Sequence, residues 1–248
     1  MNVLVINGWS ATESLWAGFF DSLETVTQVK VINLDHIASL EQWCLRIDAE
    51  VDSNTLLVGW SFGAALALKY AMSSGKPNEH IRGVICLMSN PCFVQREGWP
   101  YGMSAADFTV FSSLLESDKQ EQFVKTFSHL MVSGAVDSRQ ERRSLKAHYS
   151  AEQLPPLSVL SATLTQFGML DCREHVAALK VPCLQVFAAN DALVPVLATE
   201  PGKGRFKGSP KDSSKVVQVV IPESGHLPFF QSKAAVLKSV SEFIGRHV

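Results

Sequence analysis

The run Thr55 to Met72, TLLVGWSFGAALALKYAM, constrains the fold more than any other stretch of the chain. It opens with a short apolar run, Thr55 to Val58, and closes with a longer one, Phe62 to Met72. Between them stands Gly59-Trp60-Ser61-Phe62-Gly63, which fits G-x-S-x-G. A strand fed through a small-residue turn directly into a helix presents the central serine at the carboxyl edge of a sheet. The glycines allow the backbone to turn that tightly. The run from Leu56 to Met72 is long enough to raise the question of a membrane span. The glycine–serine–glycine break and Lys69 favour a buried strand and a helix instead.

The same alternation recurs along the chain. Val3 to Ile6, Val29 to Leu34, Ile81 to Met88, Cys183 to Ala188 and Val216 to Ile221 are short apolar runs that read as buried strands. Helical spacing links Trp16, Phe19, Phe20 and Leu23, then Leu40, Trp43, Cys44 and Ile47, and closes the chain from Ser232 to Phe243. Strands that are apolar throughout and alternate with helices predict an α/β fold, a mostly parallel sheet covered on both faces. One stretch breaks the pattern. From residue 99 to 168 no strand is evident, while Phe108, Phe111, Leu114 and Leu115, then Phe123, Phe127, Leu130 and Met131, fall at helical spacing. That is too long for a connection. It predicts a helical cap, residues 99–168, inserted into a core formed by 1–98 and 169–248. Pro201 to Ser214, rich in Gly, Pro, Ser and Lys, reads as a loop.

Composition narrows the function. The chain has 248 residues, 46% apolar and 19% charged, with a net charge of −2. This excludes a disordered chain and a molecule that binds polyanions with its whole surface. Nucleic acid binding is disfavoured, since no platform of interleaved aromatic and basic residues is present. The cysteines, Cys44, Cys86, Cys92, Cys172 and Cys183, are odd in number and lack a CxxC pair, so neither a zinc site nor a disulfide framework is expected. Reduced thiols, and a start with no basic segment before an apolar run, suit a cytoplasmic protein.

Ser61 needs a base to become a nucleophile. Of seven histidines, His226 lies directly after the last strand and before the last helix, in Ser224-Gly225-His226-Leu227-Pro228. The order serine, acid, histidine places the base last. The acid should end the preceding strand, where Asp191 stands in Asn190-Asp191-Ala192, to hold the imidazole tautomer. Asp171, ahead of that strand, is the alternative, with helix capping as its other role. An oxyanion would be met by the backbone N–H of Phe62, at a helix start, and by that of Trp9, in the loop after the first strand. No metal or organic cofactor is required.

These residues resemble the α/β-hydrolases, and within them the pimeloyl-[acyl-carrier protein] methyl ester esterases of biotin synthesis. The resemblance rests on NGWSATESLW, LLVGWSFGAALAL, GMSAADFTVF, SRQERRSLK, LTQFGMLDCRE, VPCLQVFAANDALVP and SGHLPFF, and covers nearly the whole chain. It implies a cytoplasmic serine esterase that removes methanol from a methyl-capped pimeloyl chain carried on acyl carrier protein. By position, it implies a triad of Ser61, Asp191 and His226, oxyanion donors at Trp9 and Phe62, and a substrate-lining stretch of Phe123, Val124, Lys125, Thr126 and Phe127. The family's usual His-Gly-Trp is Asn7-Gly8-Trp9 in this chain, its leading antiparallel hairpin is not expected, and the Pro201 to Ser214 loop reads as longer than usual.

The residues carry their own hint of an acidic partner. Arg139, Arg142, Arg143 and Lys146 share one helical face, with Glu141 the one acid in that stretch. Lys203, Arg205, Lys207, Lys211 and Lys215 form a second basic cluster. A local basic stripe on an acidic protein would steer an acidic carrier protein, and salt would weaken that steering. A monomer is expected. Two other readings stand beside this one: a general short-chain carboxylesterase, and a non-catalytic ligand receptor on the same fold.

Overall fold

The computed structural model describes residues 1–33, 39–72, 81–115, 120–173, 176, 179–196 and 215–248. Six strands form one sheet: β1 (Asn2–Ile6), β2 (Gln28–Ile32), β3 (Thr55–Trp60), β4 (Ile81–Leu87), β5 (Cys183–Ala188) and β6 (Val216–Ile221). Their order is β2-β1-β3-β4-β5-β6, and every pairing is parallel. The predicted sheet is thus present, with its order reversing at β1. From there the chain steps outward to β2, then returns to β3 on the other side. Loops leaving β1 and β3 diverge at such a reversal and leave a crevice at the carboxyl edge, where ligands bind in open α/β sheets. Ile6, the last residue of β1, pairs with Gly59 of β3, so the Asn7 loop and the Ser61 turn emerge side by side.

Burial follows the apolar content. Every residue of β3 and β5 is buried, whereas β2 at one edge exposes Gln28, Val29 and Lys30. A charged, short edge discourages pairing with another chain. The helix α1 (Leu40–Asp48) buries Trp43 and Ile47, while α2 (Phe62–Met72) is apolar nearly all round and packs against β3, β4 and β1. That explains the long apolar run after Ser61: it is a core helix. Among the described residues, no helix is long and apolar enough to cross a membrane.

Between β4 and β5 the described residues form helices α3 (Ala105–Ser113), α4 (Gln120–Val132), α5 (Ser138–Leu145) and α6 (Leu157–Met169), with single-residue bridges but no strand. Capping is local. The Ser104 hydroxyl accepts the Asp107 N–H, and the Asp137 carboxylate accepts the N–H groups of Arg139 and Gln140. This helical segment sits on the loops that follow β5 and β6. Asn190 donates to the Gly134 carbonyl, and Gln231 donates to the Asp137 carbonyl while accepting the Asp137 N–H. The chain ends with α7 (Lys233–His247), which packs on β5 and β6.

One expected helix is absent. The spacing of Trp16, Phe19, Phe20 and Leu23 serves a 3-10 turn, Glu13–Trp16, followed by successive tight turns. Gly18 takes φ +63°, a left-handed conformation that ends any helix begun before it. The aromatic rings instead pack on one another and on Phe229. All five cysteines are free thiols. Four of them are buried, and burial pushes the Cys172 thiol up to about 12. The Pro201 to Ser214 loop, with Lys203, Arg205, Lys207 and Lys211, lies outside the described residues.

Candidate active site

The turn between β3 and α2 has little freedom. Ser61 takes φ +54°, a left-handed backbone uncommon for a residue with a side chain. Such strain persists only where neighbours enforce it. The glycines do so by letting backbones touch. A Cβ on Gly63 would run into the carbonyl oxygens of Ile6 and Asn7, and one on Gly59 would meet the backbone of Ala64. The Ser61 N–H donates to the Leu87 carbonyl at 2.9 Å, which anchors the turn on β4. The Ser61 hydroxyl has no hydrogen-bond partner among the described residues and remains partly exposed.

His226 and Asp191 meet beside this turn. His226 Nδ1 lies 2.7 Å from Asp191 Oδ2, with the residues 1% and 5% exposed. A carboxylate only accepts, so the shared proton belongs to Nδ1 and Nε2 is left free to take another. The second Asp191 oxygen accepts the N–H groups of Leu193 and Val194 at 2.9 and 2.8 Å, which fixes the carboxylate plane. The histidine loop is tied to the turn: the Trp60 indole N–H donates to the His226 carbonyl at 3.0 Å, and the two rings lie 5.5 Å apart. Asp171 is engaged elsewhere. Both its oxygens bind the Arg173 guanidinium at 2.7–3.0 Å, which holds its carboxyl below the usual range. Of the two candidate acids, the histidine is paired with Asp191.

Two backbone donors stand free where the chain leaves the paired ends of β1 and β3. Phe62 opens α2, so its N–H has no acceptor within the helix, and among the described residues neither it nor the Trp9 N–H makes a hydrogen bond. The Trp9 loop is rigid for reasons the sequence obscured. Buried Asn7 accepts the Gly8 N–H at 2.9 Å and the Trp16 indole at 3.0 Å through one oxygen, while its amide donates to Asn33. Gly8 presses on the Trp60 ring so closely that a Cβ would overlap it. Asn7 and Trp60 are therefore structural members of the site that sequence reasoning passed over. The only signals were an asparagine at the strand end, where the family usually has histidine, and a large residue inside the serine turn.

The side chains of Trp9 and Phe62 extend into the helical segment. The Trp9 ring meets Phe111, Phe123 and Phe127 edge-on at centroid distances of 5.6, 5.6 and 5.3 Å, and its indole N–H donates to Leu160 and Thr163. The Phe62 ring packs on Phe167, which stacks on Phe93. Along α4, Phe123 and Phe127 are buried, Val124 and Thr126 are half-buried and Lys125 is exposed. The aromatic pair thus reaches Trp9, while Lys125 faces solvent.

Arg139, Arg142, Arg143 and Lys146 gather on α5 and its end, where with Ser138 they line a groove of about 430 Å³. Arg142 reaches the ring of His129 on α4 at 2.8 Å. Glu141 does not offset them, because it is buried on the opposite side, with its carboxylate 3.5 Å from the Gln231 N–H. Burial pushes its carboxyl up to about 7.

A profile of the alpha/beta hydrolase family matches residues 3–238. The pimeloyl-[acyl-carrier protein] methyl ester esterase of Edwardsiella ictaluri is 28% identical, over all of this chain and 95% of that protein. The protein of the same name from Aeromonas hydrophila is 25% identical, over 98% of this chain and 95% of that protein. Among solved structures, a hydrolase from Oleispira antarctica superposes with a TM-score of 0.77 at 17% identity, covering 99% of this chain and 91% of that one. A bromoperoxidase from Bacillus anthracis does so at 0.75 and 19%, covering 98% and 91%. With a parallel sheet, a strained serine turn and a buried histidine–aspartate pair already in place, the match over nearly the full length leads to one conclusion: this chain belongs to the alpha/beta hydrolase family.

Proposed function

We propose that the protein is a serine esterase that hydrolyses the methyl ester of pimeloyl-[acyl-carrier protein], releasing methanol, in the cytoplasm and as a monomer. The observation that carries the catalytic reading is the buried His226–Asp191 pair, tied through Trp60 to the turn that presents Ser61. Ser61 Oγ attacks the ester carbonyl carbon while His226 Nε2 takes its proton. The negative charge that moves onto the carbonyl oxygen is met by the Phe62 and Trp9 N–H groups. As the intermediate collapses, the imidazolium returns the proton to the departing methoxide, and methanol leaves. Water then attacks the acyl-serine by the same route, with His226 again as base, and frees the carboxylate and Ser61. Asp191 holds the imidazole tautomer and stabilises its charged form.

The substrate is supported by different observations. The relatives named as pimeloyl-[acyl-carrier protein] methyl ester esterases align over almost their whole length. Trp9, Phe123 and Phe127 would wall the acyl chain, with Val124, Lys125 and Thr126 completing the stretch implied by the resemblance. The groove lined by Arg139, Arg142, Arg143 and Lys146 would receive the acidic carrier. In this reading residues 99–168 cover a core formed by 1–98 and 169–248. The catalytic test is Ser61→Ala. Hydrolysis of a short chromogenic ester should vanish while circular dichroism and melting temperature stay close to those of the wild type. Retained turnover by Ser61→Ala would overturn the nucleophile.

A further inference from the structure

The loop carrying the Trp9 N–H is gripped from both ends. On the core side Asn7 fixes the residue before it, by accepting the Gly8 N–H. On the other side the grip comes from His148 and Tyr149, just past the end of α5. The Tyr149 hydroxyl and the Ser10 hydroxyl lie 2.9 Å apart, with the residues 4% and 1% exposed. Thr12 donates to the His148 carbonyl at 3.0 Å, and Ser14 lies 3.2 Å from His148 Nδ1. Ser10 itself takes φ +60°. Glycine holds that conformation freely, but a residue with a Cβ must be held there by its surroundings. Among the described residues, the one hydrogen-bond partner of the Ser10 hydroxyl is a hydroxyl group supplied by the helical segment.

We propose that Tyr149 is a positioning residue for the oxyanion hole: through Ser10 it keeps the backbone after Trp9 in its left-handed turn and so keeps the Trp9 N–H aimed toward Ser61. This rests on the serine esterase reading given above. It makes the donor dependent on both layers of the molecule, since Asn7 belongs to the strand end and Tyr149 to the segment that also bears the basic groove. Removing the Tyr149 hydroxyl would leave a buried Ser10 hydroxyl without a partner, and the loop would relax to satisfy it. Replacing Ser10 with glycine as well would remove that orphan and restore a residue at home at positive φ. A hydroxyl that merely filled a hydrogen bond in the core would affect melting temperature and leave turnover alone.

The test compares wild type, Ser61→Ala, Tyr149→Phe and the double variant Ser10→Gly/Tyr149→Phe on p-nitrophenyl butyrate. Loss of one oxyanion donor costs about 100-fold or more in kcat, so a misdirected donor should cost about tenfold. Tyr149→Phe is expected to show that drop in kcat with KM within about twofold, and the double variant to recover to within about threefold of wild type. A Tyr149→Phe kcat within about twofold of wild type, or a double variant as slow as Tyr149→Phe, overturns the proposal. Absence of Ser61-dependent turnover in the wild type would instead overturn the esterase reading. Amide hydrogen exchange at Gly8 to Ser10 judges the positioning without turnover. Faster exchange in Tyr149→Phe, restored in the double variant, supports it, and unchanged exchange overturns it.

Discussion

Replacing Glu141 with glutamine should stabilise the protein at pH 8 far more than at pH 5. Glu141 lies on α5, buried against the loop that follows His226, and its oxygen accepts the Gln231 N–H. Burial raises its carboxyl from 4.5 to about 7. Because the folded value lies above the unfolded one, the ionised carboxylate is penalised in the fold. The penalty is absent below pH 4.5, grows between 4.5 and 7, and is complete above that. At full weight such a shift corresponds to about 3 kcal/mol. The carboxylate borders a cavity of about 180 Å³ that also reaches Glu223 and Ser224. Solvent in that cavity screens the charge, which leaves about 1–2 kcal/mol. Glutamine keeps an oxygen for the Gln231 N–H and carries no charge. For a chain of this length the gain at pH 8 should be about 3–6 °C in melting temperature. At pH 5 about a quarter of it should remain, because unfolded Glu141 is then only partly ionised. Thermal unfolding of both proteins at the two pH values is the assay. Equal differences at both, or a Glu141→Gln protein that is less stable at pH 8, would refute the reasoning.

Three further outcomes follow from the geometry. Gly63→Ala should cost about 3 kcal/mol or more, since the new methyl meets backbone oxygens of Ile6 and Asn7 that cannot yield, and a urea midpoint close to wild type would show the turn to be softer than described. Asp191→Asn should leave the fold intact, because its remaining oxygen can still accept the Leu193 and Val194 N–H groups, yet lower kcat about 10⁴-fold by favouring the wrong histidine tautomer; steady-state kinetics read this, and a loss under tenfold would contradict the role of Asp191. Charge reversal at Arg139 and Arg143 should slow hydrolysis of the carrier-bound ester about tenfold at low salt and flatten its salt dependence, whereas a dependence as steep as that of wild type would place the carrier elsewhere.

The sheet was legible because its strands are short, mostly apolar runs, and a run such as Leu56 to Val58 has no polar face to turn outward. The serine turn was legible because its glycines are demanded by close backbone approach, which no other residue permits. The partner of the histidine was less so: Asp171 and Asp191 flank the same strand, and the structure engages the first with Arg173 and the second with His226. The supports of the site were hidden. The hydrogen bonds of Asn7, Trp60 and Tyr149 span separations of up to 166 residues, and nothing in local spacing reports a contact of that range. The false helix at Trp16 shows the converse limit, because four aromatic and apolar residues at helical spacing can equally serve a string of turns around a glycine at positive φ.

The central claim meets its most direct test in hydrolysis of methyl pimeloyl-[acyl-carrier protein], measured beside dimethyl pimelate and a short chromogenic ester at low and high salt, with Ser61→Ala as control. A carrier-bound ester strongly preferred at low salt, with the preference fading as salt rises and every rate lost in Ser61→Ala, is the expected result. Equal or faster hydrolysis of the small esters, indifferent to salt, would contradict the carrier-protein substrate and leave a general serine esterase.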